Sequence, residues 1–430
     1  MELKRYILGE IAEILISSID KKSKEGESPV RLCNFVDVYH NWAITADMVS
    51  NFMESTTSEK NIERFSLKKG YVAFTKDSET RDDIGVPTYI AEDLDNTVLG
   101  YHCALVKPDE NIISGKYLNA FLHSDYIKRY FELNATGSGM RYTLSVDTLY
   151  NIPILAPSLD IQKRIGDLFS NIDRKICINR SLNHYLEVMA KQLYDYWFIQ
   201  FEFPNKEGKP YKSSGGMMVW NEKLKRKIPA EWDIKYLNDI VNVKDGTHDS
   251  PKQQNKGYYL ITSKHLQSTG IDFKTAYYIS SEDYEAINKR SRVDTNDILF
   301  SMIGTIGNKY LVSEEKINFA IKNMALIKSS ENINIMYFLW YYLSSPDYIR
   351  YEHNAISGSI QKFLSLDAMR KIPVLFNEEV LIQFNQRISK ICKLISNLNK
   401  ENAFLIKQRD DLLPLLMNGQ VSVNNDLSHD

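Results

Sequence analysis

Asn134 to Pro153 reads NATGSGMRYTLSVDTLYNIP, and Asn354 to Pro373 reads NAISGSIQKFLSLDAMRKIP. At a constant offset of 220, seven of the twenty positions are identical: Asn, Ala, Leu, Ser, Asp, Ile and Pro. Weaker echoes keep the same order around them. LGEIAEI from Leu8 matches LNDIVNV from Leu237, GYVAFT from Gly70 matches NDILFS from Asn296, and HCALVK from His102 matches NMALIK from Asn323. Four matches in one order, with slowly drifting offsets, read as a duplication. Each copy is roughly 200 residues, so this is a tandem of domains and not a solenoid. Two equivalent halves suit a bipartite or pseudo-palindromic target.

After each copy comes a seam of residues stepping by 3 or 4. The first is Ile165, Leu168, Ile172, Lys175, Asn179, Leu182, Leu186, Met189 and Leu193. The second is Ile388, Ile391, Ile395, Leu398, Asn402, Leu405, Arg409, Leu412 and Leu416. At an offset of 223 they superpose, Asn179 on Asn402. Such steps keep one stripe on one helix face, and one polar seam residue fixes register. The expectation is an antiparallel coiled coil through Ile172, Asn179, Leu186, Ile395, Asn402 and Leu405. Its seam spans 28 residue steps, about 42 Å at about 1.5 Å per residue. The alternative is two amphipathic helices, each packed only on its own domain; the matched Asn argues against it. Pro414 should kink or end the second helix, with Asn418-Gly419 behind it.

Inside each copy, β-branched and aromatic runs such as Gly257 to Thr262 and Asp297 to Met302 alternate with turn residues. A helix is expected near Ser114 to Asn134 and again near Ile333 to Asn354. The fold class is α+β: two similar, mostly antiparallel domains joined by two long helices, a pseudo-twofold internal repeat. The boundaries are 1–157 for the first domain, 158–200 for its helix, 201–230 for a Pro/Gly/Ser-rich linker, 231–375 for the second domain, 376–418 for its helix and 419–430 for a frayed tail.

The chain has 430 residues, 43% hydrophobic and 25% charged, with a net charge of −2. The charge does not point to nucleic acid, so any DNA surface must be local or shared with partners. The N-terminus carries no signal-peptide pattern, and the longest apolar run, Met336 to Leu343, is too short for a bilayer. Four scattered cysteines fit a reducing compartment, and a cytoplasmic protein is expected.

Catalytic machinery is not evident. There is no phosphate-binding G-x-x-x-x-G-K-[ST], no Pro-Pro, and no metal-ligand spacing among eight histidines. Ser301 to Gly307 is not a G-x-G-x-x-G and reads as a tight turn. No catalytic or metal residue is assigned.

Several segments carry a family likeness: Val243 to Pro251 (VKDGTHDSP), Ile261 to Leu266 (ITSKHL), Asp297 to Gly307 (DILFSMIGTIG), Asn323 to Leu326, Ser357 to Leu366 and Ile372-Pro373. Together they resemble a target recognition domain of the specificity subunits of type I restriction–modification systems. The first copy resembles another variant, through Gly70 to Ile84 (GYVAFTKDSETRDDI) and Gly137 to Leu144. It lacks Asp-Gly-Thr-His, so the two domains should read different half-sites. The resemblance covers almost the whole chain. It implies a non-catalytic DNA-reading subunit whose helices set the unread spacer. It further implies double-stranded DNA, two modification subunits and restriction subunits as partners. No cofactor is expected on this chain, with S-adenosylmethionine on the modification subunit. The 42 Å seam equals about 12 base pairs at about 3.4 Å each, near one helical turn.

Polar loop residues on a rigid scaffold are the candidate DNA contacts. They are Lys76, Ser78, Glu79, Thr80, Arg81 and Arg141 in the first domain, and Lys244, Thr247, His248, Lys264, His265, Gln361 and Lys362 in the second. Arg and Lys can donate to guanine, Gln can pair with adenine, and Ser or Thr can do either. For each, a turn-forming or solvated residue is the competing reading, and Asp245-Gly246 reads as turn residues. Two other functions stay open: a stand-alone nuclease or methyltransferase, and a coiled-coil adaptor that binds no DNA.

Overall fold

The computed structural model describes residues 2–138, 141–267, 270–358 and 362–423. The chain forms two compact units, residues 1–179 with 401–430 and residues 180–400, so the division falls inside each long helix. In the first unit a five-stranded sheet runs Ala12–Ile16, Cys103–Pro108, Val72–Thr75, Pro87–Ile90, Ala43–Ile44. In the second a four-stranded sheet runs Val243–Asp245, Met324–Ile327, Ile298–Ser301, Lys309–Leu311. Val72–Thr75 and Ile298–Ser301 are buried along their whole length, which is why they read as unbroken apolar runs and not as alternation.

The two units repeat each other register by register. Cys103 lies opposite Thr75 and Met324 opposite Ser301. Val106 lies opposite Ile14 and Ile327 opposite Val243. Lys4–Ile7 pairs with Pro153–Ala156 as Asp233–Tyr236 pairs with Pro373–Phe376. All of these are aligned positions of the sequence repeat. The best-matched stretch has a physical reason for its identities. Ser145 and Ser365 cap short helices, their hydroxyls accepting from Thr148 N and Ala368 N at 3.1 Å each. Leu144, Leu364, Ile152 and Ile372 are buried. The carbonyls of Ile152 and Ile372 accept from Leu8 N and Leu237 N at 2.9 Å each. Left-handed backbone recurs as well, at Gly70 and Asn296 and at His102 and Asn323.

Several expectations need correction. The helix near 114–134 is two helices, Gly115–Leu122 and Asp125–Asn134, and its counterpart is Met336–Tyr342 and Pro346–Ala355. A serine precedes each second helix, with Pro346 behind Ser345, so the chain restarts a helix rather than continuing one. Pro414 does not end the second long helix, which runs Glu378–Met417. It sits in the last turn, so the one helical bond its ring removes, to the Asp410 carbonyl, falls near the helix end, and its own carbonyl accepts from Asn418 N at 3.1 Å. Gly419, at φ 70°, follows the helix end. The expected linker carries core side chains: Phe201, Phe203, Leu224 and Ile228 are buried with Trp232, Trp197 and Phe198 in the second unit. Its Met218–Asn221 and Arg226–Pro229 form a hairpin. Of the expected tail, 424–430 lies outside the described residues.

The first long helix is Leu159–Tyr194, continued by a π-helical turn over Asp195–Ile199. In the first unit its Ile165 and Phe169 share a core with Leu413, Leu416 and Met417. Asn179 Nδ2 donates to Asn402 Oδ1 at 3.0 Å and to Glu401 Oε2 at 2.7 Å. In the second unit Asn183 Nδ2 donates to Asn399 Oδ1 at 2.7 Å. There Tyr194, Trp197 and Phe198 pack round Phe384, with ring centroids 6.0, 5.7 and 5.0 Å away. Positions rise along one helix as they fall along the other, so the pairing is antiparallel. The first helix's seam drifts from the expected one: Leu182 and Met189 are exposed, while Phe169, Ile176, Asn183, Ala190 and Tyr194 are buried. A straight helix turns every 3.6 residues, so a seam read at 3.5 rotates off the contact.

Candidate nucleic-acid interface

In the first unit a small sheet, ordered Thr136–Ser138, Arg141–Thr143, Asp77–Ser78, collects the expected residues. Tyr142 lies opposite Ser78 and Thr143 opposite Asp77. Arg141 is exposed on this sheet, and the Arg81 guanidinium stands 5.1 Å over the Tyr142 ring. Glu79 and Thr80 are exposed in the adjoining turn, where Thr80 N donates to Ser78 Oγ at 3.3 Å. Lys76 is turned inward: its Nζ donates to Thr143 Oγ1 at 2.9 Å and to Asp77 Oδ1 at 3.1 Å.

Beneath this surface lies a group the sequence reading missed. Asp77 is buried, and its Oδ2 is bonded to His102 Nδ1. Arg141 Nη2 lies 2.8 Å from the His102 ring nitrogens and 3.9 Å from Asp77 Oδ2. Burial alone would raise the Asp77 carboxyl, but hydrogen bonds from Thr143, His102 and Lys76 outweigh it and hold the group below its ordinary range.

The second unit builds a similar cluster round Asp245, at the end of Val243–Asp245. Asp245 is buried, and both Arg290 Nη2 and His248 Nε2, the latter at 2.9 Å, bond to it. His248 Nδ1 is 2.9 Å from Asn323 Oδ1. Burial would again raise the carboxyl, and Arg290 and His248 together hold it low. Asp245 is therefore an ion-pair anchor and not merely a turn residue. Gly246 has a separate reason: a Cβ there would lie 2.5 Å from the Ile321 carbonyl oxygen. Thr247 bridges to Lys322, whose Nζ donates to Ser250 Oγ.

The remaining expected residues scatter. Lys244 is half-buried in its strand opposite Leu326. Lys264 is exposed on the turn Ser263–His265, but His265 faces inward, accepting from Thr262 N at 2.9 Å. Burial and then the Lys264 charge lower its pKa, so His265 holds the turn and is not free to meet DNA. Lys362 is exposed beside Phe363, which bridges to Ser357 and Ile303. Gln361 lies outside the described residues. His102 and Asn323 could have been found from sequence, since each heads a matched block of the repeat.

Both clusters present hydrogen-bond donors, which suits acceptor-rich base edges and phosphates. Among the described residues, no three His, Cys, Asp or Glu side chains gather to hold a metal ion. No helix among them is long and apolar enough to cross a membrane.

Comparison with known proteins agrees with the repeat. The family model described as type I restriction modification DNA specificity domain matches residues 3–188 and 229–406. The chain is 22% identical to the type I restriction enzyme HindI specificity subunit of Haemophilus influenzae, over 97% of this chain and 99% of that protein. It is 26% identical to the type I restriction enzyme MjaIX specificity subunit of Methanocaldococcus jannaschii, over 86% of this chain and 82% of the relative. In fold it is similar to the type I restriction–modification system S subunit from M. genitalium, with a TM-score of 0.58, 14% identity and 96% of each chain covered. A duplicated α+β unit, two long antiparallel helices and a model that matches both copies lead to one conclusion: this chain belongs to the type I restriction modification DNA specificity domain family.

Proposed function

We propose that this chain is the DNA sequence-recognition subunit of a type I restriction–modification complex. Each unit reads one half of a split site, and the long helices set the unread spacer. The observation that carries this reading is the donor cluster found in both units of a family member whose two copies align. The clusters use different residues, so the two half-sites differ. Candidate contacts are Ser78, Thr80, Arg81 and Arg141 in the first unit, and Lys244, Thr247, His248, Lys264 and Lys362 in the second. Catalysis belongs to partners: modification subunits that bind S-adenosylmethionine and methylate adenine, two per chain, and restriction subunits that cleave. A surface suited to a helical partner supports docking. Leu182, Tyr185, Met189 and Tyr196 on the first long helix are 46%, 70%, 47% and 39% exposed and share one stripe. With a net charge of −2, part of the phosphate contact falls to those partners.

The test is selection of duplexes from a random library by the chain assembled with its modification subunits, read by sequencing. Two short enriched blocks at a fixed separation are expected. Enrichment of a single block, or none, would overturn the proposal.

A further inference from the structure

We propose that Asp77 and Asp245 are the positioning residues of the two readers. Each is a buried carboxylate that fixes one histidine and, beside it, one arginine, His102 with Arg141 and His248 with Arg290; the ring nitrogens are engaged inside the cluster, so the exposed guanidinium is the donor presented to base-edge acceptors. The inference rests on the DNA-reading function proposed above.

Three observations carry it. First, each acid is buried while its arginine is open to solvent; His102, 29% exposed, is mostly covered and His248 is open. The Asp77 and Asp245 side chains are only 11% and 8% exposed, whereas Arg141, His248 and Arg290 are 62%, 60% and 57% exposed. A buried carboxylate is costly unless paired, so its partners are held in place before any ligand arrives. Second, the two devices meet at one structural position. His102 and Asn323 are aligned in the repeat and both have left-handed backbone, at φ 72° and 54°; His102 is the histidine of the first pair, bonded to Asp77, and Asn323 Oδ1 lies 2.9 Å from the histidine of the second, His248. Third, the carboxylates are not shared by the repeat. Asp77 lies opposite Thr143, and Ile303 holds the aligned place opposite Phe363. Asp245 lies opposite Ala325, and Ile16 holds the aligned place opposite Ala104. Packing alone accepts isoleucine at both sites. Each unit has instead placed its own acid, on a different strand, in reach of the aligned position: Asp77 bonds His102, and Asp245 reaches Asn323 through His248.

A role in packing would lower stability without touching sequence preference, which separates the readings. The experiment uses the chain assembled with its modification subunits, and variants Asp77→Asn and Asp245→Asn. Duplex selection gives the preference at every position of both half-sites. D77N is expected to lose about tenfold of its discrimination at one or two positions of one half-site. D245N should do the same in the other half-site, each leaving the opposite half unchanged. An unaltered profile, or a uniform weakening at all positions, overturns the inference, the second pointing to phosphate contact or packing. If a variant fails to assemble, H102Q and R141Q, or H248Q and R290Q, carry the same readout. If the wild-type complex selects no split site, the DNA-reading function itself fails, which is a distinct result.

Discussion

Asn179→Leu should destabilise the paired helices more than Asn402→Leu, and the double variant should recover most of the loss. Asn179 is fully buried, and its Nδ2 has two acceptors, Asn402 Oδ1 at 3.0 Å and Glu401 Oε2 at 2.7 Å. Leucine at 179 leaves the Asn402 carboxamide, only 9% exposed, without that donor. An unsatisfied buried polar group costs about 1–3 kcal/mol. Part is offset by added apolar burial, for a net loss of about 1–2 kcal/mol. Leucine at 402 is milder, because Asn179 keeps Glu401; about 0.5 kcal/mol is expected. With both replaced, the remaining polar group is Glu401, whose side chain is 42% exposed and can be hydrated. The double variant should then be near wild type, giving a coupling of about 1.5–2.5 kcal/mol, the sum of the two single losses. The assay is urea unfolding of the four proteins, with hydrogen exchange over 172–186 and 395–409 as a local probe. A loss from N402L equal to or above that from N179L, or a double variant worse than the sum, would refute the pairing.

Gly246→Ala should lower the melting temperature of the second unit and leave the first unchanged, because the new Cβ would lie 2.5 Å from the Ile321 carbonyl oxygen and 3.0 Å from Lys322 N, both rigid backbone; a loss of about 2 kcal/mol is expected by calorimetry. Arg226→Met removes a guanidinium that bonds Asp347 Oδ2 at 2.9 Å and the Phe198 carbonyl at 2.8 Å. It should cost about 3 kcal/mol by denaturant titration, and adding Asp347→Leu should restore most of it. His123 stacks on Trp42 at 4.1 Å, and its Nε2 is enclosed without a partner. Burial, then the Arg409 and Lys128 charges, lower its pKa to about 3. A depressed value means its contribution is full above the ordinary 6.5 and is lost as pH falls toward 3. Melting of the first unit followed across that range should therefore decline, and H123N should flatten the decline.

The large features were legible because they repeat. Leu-Ser-x-Asp and Ile-Pro each do one job twice, a buried leucine, a serine cap, a buried isoleucine and a strand start, so selection for folding left the same letters at the same spacing. The helix pair was legible because Asn179 and Asn402 break two apolar seams at matched places. The site was less so. Asp77 and Asp245 occupy unmatched positions, and His102 is 25 residues from Asp77; only the folded sheet brings them together. His265 looked like a free loop donor, yet local backbone bonding turned it inward. The linker's Pro and Gly content hid Phe201, Phe203 and Ile228, whose burial depends on aromatic residues at the helix ends.

The most direct measurement is the adenine methylome of the host with and without this gene. The account predicts a split adenine-methylated motif, two short blocks at one fixed separation, that disappears on deletion and returns with the wild-type chain. A methylome identical in both strains, in a host whose modification subunits are expressed, would contradict it.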